Sequence, residues 1–237
     1  LKMSRFSFIL RNLKYYRNPY LAILAGTVIS TAVLTGALVV GDSVRFSLAQ
    51  LTEIRMGKTR FAVQSGDRFF RHKLADELSE KTKTQIAPVL QLQGMAINND
   101  QNTRINRVEV LGIDNRFIKL WNAENHQPTE DEAILSLNTA EKLRLKPGDE
   151  FLLKFHKQGK ASVNAPFVSE KEPLVTCRLK VASIADDLQM GRFSMKSNQS
   201  APYNIFISLS TLSGKVDLEG NANLMLVSGN ADDNLSP

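Results

Sequence analysis

Tyr20 to Gly41 reads YLAILAGTVISTAVLTGALVVG, 22 residues without a charged side chain. At about 1.5 Å per residue this makes a helix of roughly 33 Å, which matches a hydrocarbon core of about 30 Å. A cleaved leader has an apolar stretch of only about 7–15 residues and ends on a small-x-small site. Here the exit, Leu38-Val39-Val40-Gly41-Asp42, has none. A buried core helix rarely stays uncharged for this long. The stretch is therefore read as a membrane span over residues 20–41, and the rest of the chain is arranged around it.

The span explains the charge. The 237 residues carry a net +6, yet residues 1–41 hold Lys2, Arg5, Arg11, Lys14 and Arg17 and no acid. The remainder is near neutral, so the folded part lacks the basic surface of a nucleic-acid binder. With 43% hydrophobic and 23% charged residues the chain is not a disordered one. A lone cysteine, Cys177, excludes an internal disulfide and any CxxC site.

Before the span, Phe6, Ile9, Leu10, Leu13 and Tyr16 recur at three- and four-residue spacing beside Arg5, Arg11, Lys14 and Arg17. Residues 1–19 thus read as a basic amphipathic helix lying on anionic lipid, and otherwise as a basic tail. Pro19 is expected to break it before the span. Five basic residues precede the span; Arg45, Arg55, Lys58 and Arg60 follow within 20 residues. The balance favours an inside N-terminus. Within the span Ala22, Gly26 and Ser30 form one small-residue row, with Thr27, Thr31 and Thr35 beside it, a spacing that lets helices approach closely. Residues 42–58 read as a stalk helix with the stripe Val44, Leu48 and Leu51, stopped by Gly57.

Beyond the stalk the pattern is α+β and mostly sheet. Phe61 and Val63 alternate as a strand, Phe69 to Leu78 reads as a helix, and Val89 to Ile97 reads as a strand after Pro88, a βαβ-like unit. Further strands are expected around Ile105–Val110, Ile134–Leu137, Phe151–Phe155, Val175–Val181, Ile205–Leu209 and Leu224–Val227. Asn138 is expected to cap a helix running through Leu145, followed by a type II turn at Lys146-Pro147-Gly148-Asp149. Residues 157–173 and 186–202 read as loops, and 230–237 has the composition of a helix start. That ending, and Leu1 ahead of Met3, suit the N-terminal part of a longer protein.

The order of elements resembles the MacB-like and FtsX-like permease subunits of ABC transporters. The likeness is carried by SFILRNLKYYRNPY before the span, GDSVRFSL after it, and then EVLGIDNRFIKLW, EAILSLNTAEKLRLKPGDEFLL, RLKVASIADD and APYNIFISLSTL. It implies an extracytoplasmic, MacB-like periplasmic core domain over 59–237. Within it, 59–97 would be a porter-like first half, 104–209 a β-rich Sabre-like part, and 223–237 the start of a second porter half. It implies a bacterial inner-membrane location with a cytoplasmic N-terminus. The implied partners are a separate cytoplasmic ABC ATPase subunit, a second permease protomer, membrane lipid, and periplasmic or lipoprotein partners. The implied mechanism is mechanotransmission, with ATP hydrolysis moving spans and stalks and reshaping the outer domain. A single-pass anchored binding or sensor module is the alternative.

Signals for chemistry are weak. Gly41-Asp42-Ser43-Val44 is similar to the nucleophile block of GDSL-type hydrolases. It follows a span, however, and none of His72, His126 or His156 has Asp three residues earlier to supply a base. The histidines lack ligand spacing, and the pairs Asp131-Glu132, Asp186-Asp187 and Asp232-Asp233 read as solvated loop charge. No phosphate-cradling glycine loop occurs. No catalytic, cofactor or metal residue is assigned, and Cys177 is read as a packed side chain.

Overall fold

The computed structural model describes residues 5–66, 68–121, 127–156, 174–196 and 200–229. The expectations placed on residues 1–4, His126, 157–173, 197–199 and 230–237 lie outside the described residues, as does the side chain of His156. The chain divides into two compact units, Leu1–Leu51 and Thr52–Pro237.

Helix α1, Arg5–Tyr15, is amphipathic, and α2 runs for 40 residues from Arg17 to Met56, about 60 Å at the usual rise. The most apolar 18-residue window of α2 has a mean hydropathy of 2.2, and it is the only described helix long and apolar enough to cross a membrane. The break between the two helices falls at Tyr16, not at Pro19. Pro19 sits in the first turn of α2, where its missing N–H and fixed φ are tolerated. Its ring excludes a helical carbonyl four residues earlier, at Tyr15, so the disruption appears one turn upstream. Tyr15, Tyr16 and Tyr20 stack edge to face at that point, with ring centroids 4.8 and 6.5 Å apart. Isolated Gly26, Gly36 and Gly41 do not interrupt α2, which passes the expected end of the span unbroken.

In the second unit, β1 (Thr59–Gln64) and β2 (Phe70–Arg71) precede α3 (Lys73–Thr82). The helix therefore starts later than Phe69, because Phe70 and Arg71 pair with a second short strand, β9 (Asn221–Ala222). β3 is longer than expected, Ile86–Asn98, and includes Pro88. Pairing with β4 (Thr103–Ile113) begins only at Leu90, and the Val89 carbonyl is turned toward Asn223, so the proline nitrogen faces an unpaired side.

The remaining elements are α4 (Asn115–Lys119), β5 (Glu132–Ser136), α5 (Leu137–Leu143), β6 (Glu150–His156), β7 (Leu174–Ala185), β8 (Asn204–Ser208), α6 (Leu209–Lys215) and β10 (Leu224–Ser228). The strands follow the order β1-β10-β3-β4-β8-β5-β7-β6, and β6 pairs back onto β3. Six strands, β3 to β6 around the ring, thus close on themselves, which removes their free edges. The upper half of β3 belongs to this barrel and its first residues to the three-stranded sheet β1-β10-β3.

Two large cores follow from the alternation of side chains, beside a small cluster of Ala75, Ile86 and Met225. Leu90, Leu92, Val108, Val110, Leu153, Phe155, Cys177, Leu179, Ile205 and Ile207 fill the barrel, closed over by Leu143 of α5 and Leu212 of α6. On the other face Val89, Leu111, Ile113, Ile134, Phe206 and Leu224 meet Phe117, Trp121, Met190 and Phe193. Phe61 and Val63 of the edge strand β1 remain exposed.

Asn138 is not the cap of α5. Ser136 occupies that position, and the Asn138 amide instead donates to the carbonyls of Pro202 and Ala201 at 2.9 and 3.3 Å. α5 also ends before Leu145, since Arg144 turns left-handed and the Leu145 N–H closes onto the Ala140 carbonyl. The type II turn forms, with Gly148 at φ +98° and Asp149 N–H donating to the Lys146 carbonyl. The expected strand at Ile205–Leu209 stops at Ser208, and Leu209 opens α6, which periodicity over so short a stretch did not reveal.

Candidate functional site

A candidate site is built where the last residues of α2, Ile54–Met56, pack on the rest of the second unit. A helix ends with carbonyls that have no partner of their own. Here the Trp121 indole N–H donates to the Ile54 carbonyl at 3.3 Å. Gly57 then leaves the helix at φ +54° with its Cα flat against the same residue: a Cβ would lie 2.7 Å from the Leu120 carbonyl and 2.9 Å from the Trp121 ring. Only glycine fits both the conformation and the space. Lys58 N–H donates to the Leu120 carbonyl at 2.9 Å, and the chain enters β1.

Trp121 is held from behind by α4. Asp114 caps that helix by accepting from the N–H groups of Arg116 and Phe117, and its carboxylate also pairs with Arg116, which reaches Asp76 on α3. The Trp121 ring lies 4.8 Å from Phe117 and meets Phe193 edge on at 5.6 Å, while Phe117 touches Phe193 and Phe206 at 5.3 and 5.9 Å. Such pairs add about 0.5–1.5 kcal/mol each beyond burial.

Phe193 is itself fixed by a tight turn, Asp187–Gly191, in the region expected to be an irregular loop. Asp186 accepts from Leu188 and Gln189 N–H, each at 2.9 Å, and Met190 is buried at φ +76°. The fully buried Asn204 amide donates to the carbonyls of Gly191 and Phe193 at 3.1 and 2.8 Å. Beside this turn lies a cavity of about 340 Å³, walled by Gln91, Glu109, Leu111, Phe193, Tyr203 and Asn204. Glu109 is ion-paired with Lys196 at 2.7 Å at its edge.

The residues singled out from sequence fall elsewhere. Ala22, Gly26 and Ser30 lie exposed on α2, and so do Thr27, Thr31 and Thr35. The three threonine hydroxyls donate to carbonyls of their own helix, at Leu24, Thr27 and Thr31. They therefore present small, self-satisfied surface and not free donors. Val44, Leu48 and Leu51 form an exposed stripe on the same helix. Ser43 lies on α2, His72 precedes α3 and His156 ends β6; the described residues hold no cluster of three metal-ligating side chains. Trp121, Asn204 and Gly57 as a contact surface were not found from sequence. The one available signal was that the chain contains a single tryptophan.

Cys177 is buried on the barrel side of β7, and desolvation pushes its thiol above the ordinary value, against a smaller lowering by Lys215. A raised thiol pKa means less thiolate at any given pH. Cys177 should be unreactive to a thiol reagent at pH 8 in the native protein and fully reactive in urea. Rapid native labelling would show that the barrel opens.

No family model and no curated protein matches the chain. Among solved structures, it is similar to the periplasmic region of MacB from Actinobacillus actinomycetemcomitans, with a TM-score of 0.45 and 14% identity over 73% of this chain and 69% of that one. It is also similar to the extracellular domain of the noncanonic ABC-type transporter YknZ from Gram-positive bacteria, with a TM-score of 0.44 and 11% identity over 69% of this chain and 75% of that one.

Proposed function

We propose that the chain is the first span and outer domain of an ABC transporter permease that couples ATP hydrolysis by a separate ATPase to movement outside the membrane. The observation that carries this reading is α2: a single helix runs from the basic flank, through the apolar stretch, to Met56 without a break. A membrane anchor needs only the apolar part. Continuation by about four turns beyond Gly41 is what a push-rod needs. The resemblance of its residue runs to those of MacB-like and FtsX-like permeases supports the same assignment. In this reading α1 lies on the inner leaflet, the row Ala22, Gly26, Ser30 with Thr27, Thr31 and Thr35 packs against another span of a dimer, and Val44, Leu48 and Leu51 face a partner stalk. The span carries no charge that would mark a polar path, so substrate is handled outside the bilayer.

The cavity beside Phe193 favours a second reading, an anchored binding module. Both require the domain to be extracytoplasmic. In a Cys177→Ser background, cysteine at Asn99 should react with a membrane-impermeant maleimide added outside intact cells, while cysteine at Ser7 should react only after permeabilisation. The reverse pattern would remove both readings.

A further inference from the structure

We propose that the cavity beside Phe193 binds a small ligand carrying a primary ammonium group on an apolar body, and that Lys196 holds the ammonium position until the ligand arrives. This deepens the binding-module reading above and rests on it only for what the ligand is for. Three neighbouring strands, β3, β4 and β8, make the floor of the cavity. Glu109 of β4 stands opposite Asn204 of β8, and Gln91 of β3 stands opposite Leu111, two residues along β4 and therefore on the same face. Farther along that face Val89, Ile113 and Phe206 are apolar, because Phe117 and Met190 pack over them. Where this cover ends the face turns polar. The space left, about 340 Å³, is at the small end of ligand pockets.

Two acceptors on this floor lack a donor. The Asn204 amide N–H groups go to the carbonyls of Gly191 and Phe193, and the Gln91 amide donates to the Glu109 carboxylate at 3.1 Å. Carbonyls and carboxylates only accept, so both amide orientations are fixed. Asn204 Oδ1 and Gln91 Oε1 are thereby left buried and unpartnered. The third acceptor, Glu109, is the only acid among the described walls, and it meets the Lys196 ammonium at 2.7 Å. Glu109 is largely buried whereas the Lys196 side chain is half exposed, so the lysine can return to water at small cost. An incoming ammonium has three N–H donors. It replaces Lys196 on Glu109 and brings donors to the two orphaned oxygens, which Lys196 does not serve. A ligand offering acceptors alone leaves them unpaired. Leu111, Phe193 and Tyr203 receive the apolar body. Arg107 also lines the cavity and has no ion pair among the described residues, so the carboxylate of an α-amino acid finds a partner there too.

The test is isothermal titration calorimetry on the full-length protein in phosphatidylcholine nanodiscs, with phenethylamine, L-phenylalanine and hydrocinnamate as probes. The amine and the amino acid should bind; hydrocinnamate, which lacks the ammonium, should not. Glu109→Gln should weaken binding about tenfold or more, the loss of one charge-assisted hydrogen bond. Lys196→Ala should strengthen it about two- to fivefold, because a partly exposed ion pair no longer competes. A lysine that merely braced the pocket would give the opposite sign. Tighter binding of L-phenylalanine than of phenethylamine, lost in Arg107→Ala, identifies an α-amino acid as the ligand; the converse identifies a free amine, and either supports the site. Binding of hydrocinnamate as tight as that of the amine, no binding of either ammonium probe, or unchanged or weaker binding in Lys196→Ala overturns the proposal. If Glu109→Gln does not fold, Lys196→Ala, at an exposed position, decides alone. The maleimide pattern is read separately: binding with these signs by a domain that labels only from the inside would leave the site standing and remove the binding-module reading instead.

Discussion

Inserting two glycines between Ser47 and Leu48 should abolish the link between ATP hydrolysis and export while leaving both hydrolysis and assembly in place. The insertion lies in the exposed part of α2, nine residues before Met56. Each glycine costs about 1 kcal/mol of helix propensity, and together they turn everything downstream by about 200° relative to the span. A rod that transmits motion fails on both counts: it is softened in the middle, and its far end presents a different face. A tether fails on neither. Gln50→Ala, an exposed change on the same stretch, should have little effect. Paired ATPase and export assays on the reconstituted full-length complex decide the matter. Export at the native level in the insertion variant would shift the assignment to the anchored binding module, for which the cavity beside Phe193 is the natural site.

Asn204→Leu should be the most damaging single substitution in the outer domain. Asn204 is fully buried, and its amide supplies the donors that the carbonyls of Gly191 and Phe193 use. Leucine removes the donors and leaves two buried carbonyls unpaired. At about 1–3 kcal/mol per unsatisfied group the loss is about 2–6 kcal/mol, a large share of a domain stability of about 5–15 kcal/mol. The turn is also tightly built: Gly191 is pressed so closely on Asp186 that a Cβ would lie 2.4 Å from its carbonyl, and Met190 is held at positive φ. Urea unfolding followed by the emission of Trp121, the chain's single tryptophan, reads the effect directly because Phe193 packs on that ring. Gln93→Leu, an exposed polar change on β3, should shift the midpoint by no more than about 0.5 kcal/mol. A loss below that level in Asn204→Leu would mean that the carbonyls find other partners when the turn relaxes.

What the sequence determined by itself was the set of features that depend on neighbours in the chain. The apolar helix was legible because a water-exposed or core helix rarely sustains an uncharged run of its length, and its continuation because Val44, Leu48 and Leu51 keep helical spacing up to Gly57. The turn at Pro147-Gly148 and the alternation of β6 and β7 were legible for the same local reason. The break at Tyr16 was placed at Pro19 because the proline is visible, whereas the clash it causes is with a carbonyl one turn earlier.

Only the tertiary structure decided how the strands close. The return of β6 onto β3 joins residues about 60 apart, and no local pattern encodes it. Closure is also what divides the apolar residues between two cores, sending Leu90 and Leu92 inside the barrel and Val89 and Leu111 to the other face. Asn138 and Asn204 could not be assigned from sequence, because an asparagine that caps a helix and one that satisfies distant carbonyls look alike until the carbonyls are placed. Trp121 is the clearest instance. Its ring matters because Gly57 and Ile54, more than 60 residues earlier, end their helix against it, and that contact is made by the fold alone.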